Sequence, residues 1–183
     1  LYRVSENGDD MAREPVKPMV LVNHVLQDAA DYAEHQRVDC KLVASEESKA
    51  VSVLGDGGLL QRAFDNVLQN ALDHTPPGKS VKLSLSTGNE RIRLIVADEG
   101  PGAPEDLLQH LFEPFFRADK SRGGKGWGLG LAIARDIIQA HDGHISARNR
   151  DEGGLEVILE LPVFVGGSGL GGRAWIRCVV TAW

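Results

Sequence analysis

The chain has 183 residues, of which 42% are hydrophobic and 25% charged, with a formal net charge of −6; this suffices for one domain with a core and speaks against nonspecific nucleic-acid binding. Cys40 and Cys178 lie far apart in no metal-like spacing, which excludes a disulfide framework and a zinc site and favours a reducing compartment. No run of about 18 apolar residues and no signal peptide is found, so the chain, read as a piece of a longer protein because it begins at Leu1, is not expected to be membrane-bound by itself.

Residues 1–17 are polar and broken by Gly8 and Pro15, and read as a linker or the end of a preceding, missing helix. Pro18 suits the first turn of a helix that runs to about His35, with Val20, Leu21, Val25, Leu26, Ala29 and Ala33 at helical spacing. Residues 38–44 and 51–54 read as short strands. Asp56 is placed to cap a helix whose apolar stripe is Leu59, Leu60, Ala63, Phe64, Val67, Leu68, Ala71 and Leu72, and Thr75-Pro-Pro-Gly ends it. Residues 81–85 and 92–96 alternate around Gly88-Asn89 as a hairpin. After the Gly100–Gly102 break comes a short helix at 104–111. A long basic loop over 113–127 follows, then a helix over 129–140 and a second hairpin, 145–148 with 155–161. The sum is an α+β, two-layer sandwich. Three main helices lie on one face of a sheet of about five strands, mixed but mostly antiparallel. The glycine-rich segment after Pro162 reads as an atypical flexible tail, which sets the core domain at 18–162.

Asn66 and Asn70 stand four residues apart on the edge of that helix's buried stripe, where an unpartnered amide is costly. A neutral amide oxygen there suits Mg²⁺ beside a polyphosphate, because Mg²⁺ prefers hard oxygen ligands. Three further features lie downstream. "DEGPG" (98–102) follows a strand; its carboxylate can accept from an exocyclic amine, and its glycines let the backbone approach a flat ring. The basic loop opens with "FEPFFR" (112–117) and carries Arg117, Arg122 and Lys125. "GWGLGL" (126–131) opens a helix whose free N–H groups and dipole favour phosphate. It is neither a Walker A loop nor a dinucleotide fingerprint. Taken singly, each has a plainer reading, as capped turn, solvated loop, glycine hinge or backbone-bonded asparagine.

In this order the four strongly resemble the N, G1, F and G2 boxes of the catalytic ATP-binding domain of bacterial sensor histidine kinases, within the GHKL superfamily. The boxes correspond to residues 65–75, 98–102, 112–117 and 126–134. The resemblance runs from about residue 18 to 162. It implies the Bergerat-type sandwich and makes Asn70 the main Mg²⁺ ligand, with Asn66 near metal and phosphates. Asp98 would hold the adenine amine, Gly100 and Gly102 would line the base pocket, and His74 would lie beside the base. Arg117, Arg122 and Lys125 would form the ATP lid. Gly126, Gly128, Leu129, Gly130 and Leu131 would meet the phosphates. Hydrolytic relatives carry glutamate where Asn66 stands. An amide cannot act as general base, so the γ-phosphoryl is kept for another nucleophile. Asn66 and Arg117 are the residues expected to shape that transfer.

In the resembled kinases the acceptor is a histidine on a separate dimerisation domain. None of His24, His35, His74, His110, His141 and His144 has the flanking pattern of that acceptor. The resemblance therefore implies a monomeric, cytoplasmic catalytic fragment that binds Mg·ATP and serves a dimerisation domain and, indirectly, a response regulator. Its parent would be a sensor anchored in the inner membrane. The alternatives are a serine kinase of the anti-sigma type and a degenerate nucleotide-sensing module. Asp73, where relatives carry a cation, and the bulky Trp127 are the departures that favour the module.

Overall fold

A computed structural model describes residues 13–116 and 128–165. Strand β1 (Glu14–Val16) pairs antiparallel with β3 (Val53–Gly55), and Val16 and Val53 are buried where they meet. The Arg13 guanidinium ties the start of this segment to the end of the helix Gly130–Ala140. It donates to the Asp142 carboxylate at 2.8 Å and to the Ala140 carbonyl at 2.9 Å. The short ordered strand thus falls inside the stretch read as linker; Pro15 is tolerated because a two-stranded edge leaves few N–H groups to satisfy.

The first predicted helix is two helices, α1 (Pro18–Asp28) and α2 (Ala30–Gln36), joined at Ala29. The break lets α2 bury Ala33 and brings the Tyr32 hydroxyl to within 2.6 Å of Asp73 on the fourth helix. Strand β2 (Asp39–Ala44) follows, then a short α3 (Glu46–Ala50), which has no apolar stripe to announce it. Its start is fixed by Ser45, whose side chain accepts from the Ser48 N–H. Helix α4 (Gly57–His74) is capped by Asp56, which accepts from Leu59 N–H at 3.0 Å.

Strands β4 (Ser80–Gly88) and β5 (Arg91–Ala97) form the first hairpin. The turn is Asn89-Glu90, both at positive φ (52° and 58°), as a two-residue turn matched to strand twist requires. A 3₁₀ turn (Glu105–His110), helix α5 (Gly130–Ala140), β6 (His144–Asn149) and β7 (Leu155–Pro162) complete the described chain.

The main sheet runs β2-β4-β5-β7-β6, with β2 parallel to β4 and every other pair antiparallel. Because side chains alternate between faces, the registers stack apolar residues in rows across the sheet. One row reads Ala44, Leu85, Leu94, Leu159, Ile145. Against these rows pack Val22 and Val25 of α1, Leu60, Val67, Leu68 and Leu72 of α4, and Ile137 and Ile138 of α5. This is the expected two-layer α+β sandwich, with one face of the sheet under helices. The fold brings α4 and α5 side by side and sets the end of α4 beside the turn that follows β5. No helix among the described residues is long and apolar enough to cross a membrane.

Candidate functional site

The edge of α4 that carries the two asparagines faces the start of α5. Asn66 is half-buried, and its Nδ2 is shielded from solvent with no hydrogen-bond partner among the described residues. A Cβ built on Gly130 would lie 3.4 Å from Asn66 Oδ1. The head of α5 therefore stands within van der Waals reach of this amide. A half-turn of the terminal torsion exchanges the two amide atoms. The orphaned position can serve as a donor to an anionic oxygen or as a carbonyl ligand to a cation. Asn70 is half-buried one turn further along the same face.

At the opening of α5, Gly128 has φ +68°, Leu129 is the N-cap residue, and no side chain caps the helix. The first N–H groups of an eleven-residue helix are thus left for an outside acceptor, and the helix dipole adds to their preference for an anion. Leu131 is buried and anchors this turn to the core. The Gly128 carbonyl accepts from Phe115 N–H at 2.9 Å, and Phe115 itself adopts φ +64° with its ring largely exposed. The two ends of the intervening segment are therefore joined at their base. Arg117, Arg122, Lys125, Gly126 and Trp127 lie outside the described residues.

Asp98 sits just past the end of β5 and is 3% exposed. Its Oδ1 accepts from Gly100 N–H at 2.8 Å and Leu155 N–H at 3.1 Å. No hydrogen bond among the described residues uses Oδ2. Burial pushes the Asp98 carboxyl above its ordinary pKa; the Gly100 and Leu155 N–H bonds, and then His74 and Arg150, pull it back. Gly100 is required where it stands, because a Cβ would come within 2.5 Å of the His74 carbonyl oxygen. So the end of α4 and the Asp98 turn touch through backbone, and the His74 ring is exposed beside them. The next residue in the turn, Glu99, reaches back to Ser80, accepting from its N–H at 2.8 Å and its hydroxyl at 3.1 Å. These bonds hold the Glu99 carboxyl below its ordinary pKa.

Among the described residues Asp73 makes no hydrogen bond to the α5 head. Its carboxylate accepts from the Tyr32 hydroxyl at 2.6 Å and from Gln69 Nε2 at 2.9 Å, which raises the Tyr32 pKa through that hydrogen bond. It serves as a tie between α2 and α4.

Three residues around the Asp98 turn carry no sequence signal, and a fourth, His141, supports the helices that bear the site. Asn149 ends β6 and bonds the backbone of Ala103 through both ends of its amide, at 2.9 Å and 2.6 Å. Arg150 donates to the Asp98 carbonyl at 2.5 Å. Gly154, at φ +98°, passes so close beneath Asp98 that a Cβ would run into the Asp98 carbonyl. His141, 2% exposed, donates from Nδ1 to the Ile137 carbonyl at 2.7 Å. Its Nε2 accepts from the Asp56 N–H at 3.0 Å. It fixes the end of α5 to the start of α4, and burial lowers its pKa.

The arrangement offers a buried carboxylate at one end, an uncapped helix head at the other, and two amides between them. A flat, amine-bearing ring linked to a polyanion has the matching chemistry. The family model described as "Histidine kinase-, DNA gyrase B-, and HSP90-like ATPase" matches residues 55–164. The signal transduction histidine-protein kinase BaeS of Escherichia coli (strain K12) is 40% identical over 116 residues, covering 62% of this chain and 25% of its own length. A solved structure of the mycobacterial sensor histidine kinase MprB superimposes with TM-score 0.75 at 28% identity, covering 82% of this chain and 98% of that one. Full-length ShkA in complex with AMPPNP superimposes with TM-score 0.76 at 26% identity, over 88% of this chain and 33% of that one. The chain thus spans about a quarter of the length of BaeS.

Proposed function

The chain belongs to the histidine kinase-, DNA gyrase B- and HSP90-like ATPase family, and we propose that it is the ATP-binding catalytic domain of a sensor histidine kinase. In this reading it binds Mg·ATP and presents the γ-phosphoryl group to a histidine on a dimerisation domain outside residues 18–162, from which a response regulator is served. The parent works at the cytoplasmic side of a membrane.

The observation that carries the reading is the amide of Asn66 against the glycine head of α5. Asp98 accepts the exocyclic amine of adenine through Oδ2, since its Oδ1 already takes two backbone N–H groups. Gly100 and Gly102 line the base pocket, and without side chains they let the turn pack against the His74 carbonyl and Asn149. The N–H groups of Gly130 and Leu131 hold phosphate oxygens at the positive end of α5. Asn70 and Asn66 present amide oxygens and a donor to the metal-bound phosphates. Mg²⁺, when bound, neutralises charge on the phosphates. Arg117, Arg122 and Lys125 supply cations from the lid.

Neither Asn66 nor Asn70 can take a proton from water, so bound ATP hydrolyses slowly and its phosphoryl group awaits a better nucleophile. His141 is no candidate acceptor: it is buried and both ring nitrogens are engaged.

The test is titration of the chain with a Mg·ATP analogue, followed by addition of the parent's dimerisation domain and radiolabelled ATP. Saturable binding, slow hydrolysis and acid-labile label on the added domain are expected. Acid-stable phosphoserine, or no nucleotide binding, would overturn the reading.

A further inference from the structure

We propose that Asn149 is a positioning residue for recognition of the base, and that the β6–β7 corner sets how strictly the site demands adenine. This rests on the reading above, in which the Asp98 carboxylate meets the exocyclic amine.

The turn from Asp98 to Ala103 is held from outside at both ends, and both holds come from one corner. At the near end, Arg150 donates to the Asp98 carbonyl at 2.5 Å and Leu155 N–H to Asp98 Oδ1 at 3.1 Å. The Asp98 N–H donates in turn to the Leu155 carbonyl at 2.9 Å. At the far end, Asn149 Oδ1 accepts from Ala103 N–H at 2.9 Å. Its Nδ2 donates to the Ala103 carbonyl at 2.6 Å and to Glu105 at 2.9 Å. That amide copies the paired donor and acceptor of a strand, so it clasps a loop that has no ladder of its own.

Two glycines make the clasp fit. Gly102, at φ +72°, brings the backbone so near that a Cβ would stand 2.6 Å from Asn149 Oδ1. Gly154 lies under Asp98 at φ +98°. The corner is itself closed by Arg150 N–H on the Gly154 carbonyl at 3.0 Å. Asn149 touches no atom of the base in this arrangement. It acts by fixing the far hinge of a six-residue turn whose near hinge carries the reading carboxylate. With the far hinge released, the Gly100–Gly102 backbone can swing and Oδ2 loses its fixed aim. The contact that depends on aim is the hydrogen bond to the amine; stacking and phosphate contacts do not.

The experiment compares the full chain with its Asn149→Ala and Asn149→Asp variants. The dissociation constants of Mg·ATP and of Mg·purine riboside triphosphate, which lacks the 6-amine, are measured by calorimetry. Melting curves and amide hydrogen exchange without nucleotide are recorded alongside. Asn149→Asp keeps the acceptor for Ala103 N–H and loses the donor, so it reports even where the alanine variant fails to fold. Wild-type protein is expected to prefer ATP by about tenfold or more, the worth of one hydrogen bond to a charged acceptor. In the variants that preference shrinks to about threefold or less, with the purine riboside affinity held within about twofold, as loss of the amine bond alone dictates. Exchange at residues 100–103 speeds up while β5 stays protected. An undiminished preference, or equal losses for both nucleotides tracking a fall in melting temperature, overturns the proposal and leaves Asn149 a hairpin cap. Wild-type protein that does not distinguish the two nucleotides overturns the role of Asp98 instead, and this inference falls with it.

Discussion

Replacing Asp98 with asparagine separates two jobs that one carboxyl group performs. Oδ1 accepts from Gly100 and Leu155 N–H groups, and the asparagine carbonyl can take the same place, so no buried donor is orphaned. Burial raises the folded-state pKa of Asp98. A group raised in this way favours the fold below its unfolded-state pKa and loses that contribution as pH climbs through the folded-state value. At neutral pH the ionised carboxylate is therefore a burden on folding, and the neutral amide removes it. The melting temperature of Asp98→Asn at pH 7.5 is expected to equal or exceed that of the wild type. Binding moves the other way. The amide nitrogen replaces Oδ2 and sets a donor against the donor of adenine. One hydrogen bond to a charged acceptor, about 1.5–3 kcal/mol, is lost, and the unpaired donors add about 1–3 kcal/mol. The sum, about 2.5–6 kcal/mol, is a loss of affinity on the order of 10²- to 10⁴-fold. Calorimetric titration with a Mg·ATP analogue and thermal melting in one buffer read both quantities. Affinity within threefold of wild type, or a melting point lower by more than about 5 °C, refutes the argument.

Asn70→Ala is expected to abolish Mg·ATP binding while the half-exposed position leaves the melting temperature almost unchanged; unaltered affinity in calorimetry contradicts the role given to it. Gly154→Ala must accommodate both φ +98° and a side chain in the path of the Asp98 carbonyl, so urea denaturation should show a loss of at least about 2 kcal/mol. His141 is held neutral, its pKa lowered by burial from an ordinary 6.5. Its contribution is complete above that value and is lost as pH falls below it, because the unfolded chain takes up a proton that the fold resists. Urea midpoints should fall from about pH 6.5 downward, and His141→Gln should flatten that slope; parallel profiles would rule the staple out. Leu159→Ala empties a position at 1% exposure between Leu94 and Ile145 in the five-strand row, and chemical denaturation should report a loss of about 2–5 kcal/mol.

The long elements were legible because their periodicity is. The apolar stripe of α4 repeats over about four turns, and the hairpins alternate over most of their length, so tertiary packing had little conflicting propensity to override. The break at Ala29 was hidden because alanine is the best helix former and nothing in its own side chain marks a corner. Strand β1 has three residues, one of them proline, and exists only because β3 stands beside it. Much of the candidate site was legible too, since Asn66, Asp98 and the glycines around them sit in short linear motifs. The structure sets Asn66 against Gly130 and the end of α4 against the Asp98 turn. The supports were not legible. Asn149 bonds residues 44 and 46 positions away, and no local pattern reports a partner at that separation. From the sequence Asp73 reads as a departure in the phosphate site; in the structure its carboxylate is engaged by the Tyr32 hydroxyl, 41 positions away.

Both margins of the described sandwich meet on one short segment. Val16 pairs with Val53, and Phe164 forms a bridge with the adjacent Ser52, its N–H 2.7 Å from the Ser52 carbonyl. A polypeptide that enters and leaves at a single spot behaves as a pendant: it can be spliced into another scaffold, or rotate about its tether, without its layers being pulled apart. A linker of a few residues from 164 to 14 should likewise allow circular permutation, with new termini opened at the Asn89-Glu90 turn.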